Sequence, residues 1–556
     1  MGTWRADTRL KERRSPLAYG QFVHTCPPHP PISRPSYLIS VAPKSMDHDT
    51  YAPTMSKLHP TLCIPEILLE ILTRLSTTDL VRVAQTCKTW AEPALDIKWR
   101  THRIKFSRLL SILAPLVNVN DNLTSLILPY EKMNQSLWTR FVDGFAGKVT
   151  WLELDIALDL VSIAHIEKLL ARFGRPLCKN LTCIDAKPYP LSDSDGWYIP
   201  VLELLLRSDL VKVTLPSNAT PKTTTAALSL LGHQAPCIRD LTVTSNETFN
   251  YAIFTNLRSF SHQGYLSLTN YTVLASLPHL QILHLFQNHI SDARHNDGSI
   301  ITFPSLHEFS MSEISAELEG AVEQSVMPAL RTLRVTMTGD GRLTLLDHVL
   351  QASPLLEYLH LEVNAPARAL KLRRHDQIRR LVLINYVWGA YGWNDDDLNW
   401  IGGSFPSLQD LAIHGGYHWR YQTTWRTLPS LVTQCSDNLR ILEITLYVKS
   451  FTLTDVAPWD ITLPSLTTLI LSRLQIKEAD VDPFSKYLAA LCPNVKTLEI
   501  GEFYEILILK LSKTGGRTKG QPRSRRFSEA EKDLFIGRFF ECKAGRCAIE
   551  DVTGVV

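Results

Sequence analysis

The chain has 556 residues, 45% hydrophobic and 20% charged, a composition ordinary for a soluble protein but a length beyond what one hydrophobic core serves. Several domains or a repeat array are therefore expected. Its 58 Lys and Arg against 55 Asp and Glu leave a formal net charge of +3, which removes any global argument for nucleic acid or an anionic membrane as partner.

Residues 1–57 mix Arg with a Pro cluster, CPPHPPISRP, and read as a disordered leader. The stretch has no continuous apolar core of a secretory signal, Ala6 stands where a myristoylation signal wants Ser or Thr, and the prolines forbid a long amphipathic targeting helix. Nowhere does an apolar run approach the roughly 20 residues of a membrane-spanning helix. Ten cysteines fall at irregular spacings, and neither Cys178/Cys183 nor Cys542/Cys547 has the two-residue gap of zinc or redox pairs. Reduced structural thiols and no metal are expected.

Residues 58–100 are the densest in apolar residues at helical spacing and read as three short helices. Pro65 suits a first helical position and Glu66 favours the positive end of the helix dipole. Ile67, Leu68, Ile71, Leu72 and Leu75 recur at three- and four-residue steps. Thr77 or Thr78 can cap a second helix with Asp79 in its first turn, and Leu80, Val83, Ala84, Cys87 and Trp90 continue an apolar stripe. Some forty residues bury too little surface to be comfortably stable alone, so part of this face needs a cover from outside.

The order Pro65-Glu66-Ile67-Leu68, Leu75, Asp79-Leu80, Cys87-Lys88, Trp90 and a closing Trp99 resembles an F-box over the whole motif, with Ile64 where many family members have Leu. The resemblance implies docking on a Skp-type adaptor and, through it, on a cullin-RING ubiquitin ligase. The residues it assigns to that role are Pro65, Glu66, Ile67, Leu68, Ile71, Leu72, Leu75, Leu80, Val83, Cys87 and Trp90.

Residues 101–120, beginning HRIKFSRLLSILAPLV after Thr101, read as a linker helix. The stretch 121–509 then repeats a short pattern, Pro/Asp/Asn-x-Leu-x-x-Leu-x-Leu, most clearly in LPHLQILHL, MPALRTLRV, SPLLEYLHL, FPSLQDLAI and CPNVKTLEI. Its first anchors run from Leu123, Val149 and Leu181 to Leu466 and Val495, at roughly 27 residues per step. In Leu356-x-x-Leu359-x-Leu361 the last two anchors alternate and face one side of a short strand. Between strands, 342–353 and 483–492 have helical spacing. The pattern resembles the leucine-rich repeats of F-box proteins. The expected fold is α/β: a small three-helix F-box followed by a curved solenoid, with a parallel strand per repeat on the concave face and helices on the convex face.

Two long repeats carry aromatic insertions, NYVWGAYGWNDDDLNW and HGGYHWRYQTTW, whose glycines predict loops. Tyr386, Trp388, Trp393, Tyr417, Trp419 and Arg420 have the composition of an interaction hot spot and are the candidate target-binding residues, with Asp395, Asp396 and Asp397 beside them. Residues 510–527 hold Lys510, Lys513, Arg517, Lys519, Arg523, Arg525 and Arg526 among Gly and Pro and read as a flexible basic linker; a nuclear import signal or a nucleic-acid contact is the alternative. Residues 528–556 form a tail with a short helix, opened by Ser528 and Glu531 as a capping box.

There is no Gly-rich phosphate loop, Gly-x-Ser-x-Gly elbow or His-Glu-x-x-His. The expectation is a non-enzymatic protein without cofactor, in cytoplasm or nucleus, that joins a Skp-type adaptor to an unknown protein target, with no membrane partner and no nucleic acid. A non-degradative F-box scaffold and a nucleic-acid-associated protein using the basic segment are the other readings.

Overall fold

A computed structural model describes residues between 65 and 540, with 127–134, 156–163, 187–197, 290–299, 364–373, 386–392, 415–424, 449–461 and 507–523 as the main exceptions, besides shorter stretches such as Cys87. The chain divides into two units, Met1–Leu68 and Leu69–Val556. Of the first, only Pro65–Leu68 is described, and these residues are the opening turn of helix α1 (Pro65–Thr73).

The second unit continues with α2 (Thr77–Thr86) and α3 (Lys88–Thr101). Ser76, rather than Thr77 or Thr78, caps α2: its Oγ accepts from the Asp79 backbone N–H at 3.2 Å and donates to Asp79 Oδ2 at 2.6 Å. The reciprocal pair satisfies a backbone donor that the helix itself leaves open. Helix α3 is anchored to the start of the array. Trp99 meets Phe145 edge-on at 5.7 Å, and Asp96 pairs with Lys148 at 2.6 Å and with Arg100 at 2.7 Å.

A sixteen-stranded sheet comes next, its first fifteen strands parallel and, among the members of this sheet, in chain order, from Ile104–Lys105 to Thr497–Ile506. The register is carried by the second anchor of each repeat: Leu333 pairs with Leu359, Leu359 with Leu381, Leu381 with Leu411. The first anchors from Val149 to Val495 are at most 2% exposed, because they seat the turn that feeds each strand. Along the strands buried and part-exposed residues alternate, so one face is packed and the other open. Helices Leu343–Ala352 and Val481–Leu491 stand where the spacing of 342–353 and 483–492 predicts them. Each end of this parallel ladder needs a separate solution, since an unpaired strand exposes its polar backbone.

A second link between repeats escapes the sequence pattern. The residue before the first anchor reaches the proline carbonyl of the preceding repeat: Ser305 to Pro278 at 2.8 Å, Asn438 to Pro406 at 3.2 Å and Asn494 to Pro464 at 2.7 Å. These bonds connect turns that the backbone ladder does not reach.

The ends of the array differ from expectation. Within the expected linker helix 101–120, Thr101 ends α3, Ile104–Lys105 is the first strand of the sheet, and among the other described residues only Phe106–Leu110 is helical. Leu116–Asn120 pairs antiparallel with Leu123–Leu126 in a separate hairpin, so Leu123 does not anchor a repeat strand. In the sequence, Asn120-Asp121-Asn122 between these two strands is a turn signal. At the other end, Ser524–Arg526, within the expected flexible basic linker, forms a strand antiparallel to Thr497–Ile506. Helical residues 535–540 then cover the last repeat: Phe535 and Phe539 are fully buried, Phe535 lies 6.5 Å from Phe484, and Lys532 donates to the Gly501 carbonyl at 2.7 Å. A stacked array exposes an apolar end unless a cap hides it. Ser528 and Glu531 lie outside the described residues.

Candidate functional site

The segment read as adaptor-binding separates into two sets of side chains. Leu68, Leu72 and Leu80 are buried core, at 6%, 0% and 0% exposure, while Leu75, Val83 and Trp90 are half-buried. Pro65, Glu66, Ile67 and Ile71 are exposed, and so is Leu69, which helical spacing did not select. Cys87 lies outside the described residues. Spacing alone treats core and docking residues as one group. Burial divides them: Ile67, Leu69 and Ile71 leave apolar surface on α1 in water, and a helix apolar on most of its circumference requires a cover.

Of the six candidate target-binding residues, Tyr386, Trp388, Tyr417, Trp419 and Arg420 lie outside the described residues. Trp393 is not a surface residue: it is 1% exposed and belongs to the continuous core of the array. A ring without exposed surface cannot meet a partner, so this residue leaves the binding set. The backbone of Asp395–Ser404 is helical rather than a loop. Three consecutive acids are a helix-start signal, which the glycines around them obscure. Trp400 is half-buried and packs against that core, edge-on to Phe405 at 6.1 Å.

The open face of the sheet carries polar chemistry in its central repeats. Between the second and third anchors stand His284, Ser310, Arg334 and His360, adjacent across neighbouring strands. Glu308 lies 3.5 Å from His284 Nε2 and 3.4 Å from Arg334 Nε. Glu362 accepts from Thr336 Oγ1 at 2.8 Å and sits 3.2 Å from His360 Nε2, while the Tyr358 hydroxyl is 3.3 Å from His360 Nδ1. The guanidinium groups of Arg334 and Arg380 lie 5.5 and 5.0 Å from the Tyr358 ring. A depression of about 630 Å³ opens here, lined by Phe286, Ser310, Arg334, His360 and Glu362 among others. No leucine-centred reading finds these residues. They become visible only when the single position between the last two anchors is read down successive repeats.

Burial lowers the pKa of His284, opposed by Glu308 and reinforced by Arg334. Burial also lowers His360, opposed by Glu362 and reinforced by Arg334 and His414. Both rings therefore charge less readily in the folded chain than in the unfolded one. Below the unfolded histidine range, near 6.5, the unfolded chain binds more protons, and stability declines as pH falls through the lower folded values. The melting temperature should thus drop between pH 7 and pH 5, and a His284→Asn, His360→Gln variant should show a shallower decline. An unchanged slope in a thermal scan would contradict this electrostatic arrangement.

The described cysteines are free thiols, and burial pushes Cys178 and Cys492 up to about 12, far from reactive. Among the described residues no group of His, Cys, Asp and Glu is placed to hold a metal, and no helix is long and apolar enough to cross a membrane.

Comparison with known proteins matches residues 65–105 to the F-box-like family. No curated protein matches the sequence. Similar solved structures include the TLR13–ssRNA13 complex, at 15% identity over 71% of this chain and 61% of that one, with a TM-score of 0.30. The leucine-rich repeat-containing protein LegL7 from Legionella pneumophila is 12% identical over 66% of this chain and 92% of that one, with a TM-score of 0.26. The Rad7 and Elc1 complex of yeast is 15% identical over 78% of this chain and 85% of that one, also at 0.26. The chain spans 61% of the length of the first of these. Residues 65–105 thus match an F-box-like domain, and the sheet that runs on from Ile104–Lys105 adds one parallel strand per repeat.

Proposed function

We propose that the protein is a substrate-recognition subunit of an SCF-type ubiquitin ligase: the F-box-like segment docks on a Skp-type adaptor and the array holds a target protein. The observation that carries this reading is exposed apolar surface on α1, at Leu69 and Ile71, inside the segment that matches the F-box-like family. The activity is positional. A target lysine held beside a charged ubiquitin gains effective concentration, which needs no catalytic group on this chain.

The test is a Leu69→Asp, Ile71→Asp double variant. Both side chains are exposed, so the core remains, and the charges should weaken adaptor pull-down by at least about 2 kcal/mol, the scale of an interface anchor. Adaptor capture equal to wild type, with an unchanged melting curve, would sink the docking assignment.

A further inference from the structure

The depression on the open face holds a carboxylate that no Lys or Arg among the described residues pairs with, and what it would bind deepens the proposed function, resting on the reading that the array binds a target. Parallel register sets Phe286, Ser312, Thr336 and Glu362 in one row across four strands, and all four line the depression. Phe286 is 38% exposed at one end and the Glu362 side chain 26% exposed at the other, with two short hydroxyl side chains between them. Three strand spacings of about 4.8 Å put the two ends about 14 Å apart.

The charges of the depression separate by row. Arg334 contacts Glu308, 3.4 Å from its Nε, and the Tyr358 ring, 5.5 Å away. Register puts both in the row through Thr332, on the side of Arg334 opposite Thr336 and Glu362. Arg334 therefore answers Glu308. Glu362 is met by neutral groups: Thr336 Oγ1 donates to it at 2.8 Å, and His360 Nε2 lies 3.2 Å away. Burial disfavours a charge on that imidazole, and the Tyr358 hydroxyl, 3.3 Å from Nδ1, suits a neutral ring with its proton on Nε2. Two donors leave room on a carboxylate, which can accept about four hydrogen bonds.

The unmatched charge is thus negative and stands at one end of the row. A cation gains a charge-assisted hydrogen bond there, whereas a phosphate or a carboxylate meets repulsion. The exposed Phe286 ring offers an apolar contact at the other end. In an extended chain, side chains four residues apart share a face and stand about 14 Å from each other, the length of the row.

We propose that this row receives an extended segment of the target protein, with a Lys or Arg on Glu362 and an apolar side chain, four residues away, on Phe286.

The experiment is peptide-display selection on the purified full chain, followed by binding of the enriched peptide in synthetic form. Enriched peptides should share a Lys or Arg four residues from an apolar residue. Acetylating that Lys, or exchanging that Arg for citrulline, should weaken binding at least about tenfold. Glu362→Gln, which keeps an oxygen for Thr336, and Phe286→Ser should do the same. Arg334→Gln should bind at least as well as wild type, because it removes a positive charge from the depression. Should a protein variant melt early, the uncharged peptide still decides, since it leaves the protein untouched. Enrichment of acidic peptides, no enrichment at all, or full binding by the uncharged peptide or by folded Glu362→Gln would each overturn the assignment. Adaptor pull-down is measured in parallel: its loss from wild type would defeat the F-box docking reading and leave the peptide result standing.

Discussion

Leu359→Asp should unfold several adjoining repeats together. Leu359 is fully buried, and its strand, Tyr358–Val363, is in register with Leu333 on one side and Leu381 on the other. Truncating a buried leucine costs about 2–5 kcal/mol, and a carboxylate without a partner adds the desolvation of its charge or the work of protonating it. A total of about 5 kcal/mol or more rivals the whole stability of an ordinary domain. In a stacked array each repeat covers the apolar face of the next, so the loss passes to neighbours in both directions. Hydrogen exchange should show protection disappearing together from the strands Thr332–Met337, Tyr358–Val363 and Arg380–Asn385. Loss restricted to Tyr358–Val363, with both neighbours still protected, would contradict a cooperative array.

Trp393→Ala should act on stability rather than on recognition. The ring is 1% exposed and among the largest fully buried side chains of the protein, and its Nε1 has no hydrogen-bond partner among the described residues. The expected loss is therefore cavity and transfer energy, about 3–5 kcal/mol, seen as a fall of several degrees in the melting transition. Trp393→Phe, which keeps an aromatic ring in the site, should recover much of it. A variant that melts like wild type but fails to hold a target would return Trp393 to the binding surface.

These two residues show which parts of the fold are legible in one dimension. Leu359 is identified from spacing alone, because a strand with period two and a repeat near 27 residues leave no other place for its side chain than the packed face. Trp393 misleads because an insertion rich in Trp, Tyr and Gly has the composition of an exposed hot spot, while composition says nothing about the direction of a ring. The same holds on α1. Leu68 and Leu69 are adjacent and chemically identical, yet one is buried and the other 54% exposed. Spacing selects Leu68 and passes over Leu69, but it also selects the exposed Ile71 together with the buried Leu72, and only the packing around the helix separates those two.

The sequence by itself determined what depends on periodicity: a segment of short helices within 58–100, a strand-per-repeat array, two of its helices and nearly every leucine that anchors it. Such patterns survive in one dimension because each repeat makes the same local turn and buries the same positions. The tertiary structure decided what depends on neighbours far along the chain. It set where the array begins and ends, because an edge strand is defined by its partner: Ile104–Lys105 joins the sheet by pairing with Trp151–Leu154, and Ser524–Arg526 by closing against Thr497–Ile506. It also brought His284, Ser310, Arg334 and His360 into one row. They are separated in sequence by whole repeats, but the distance between neighbouring strands is only about 4.8 Å.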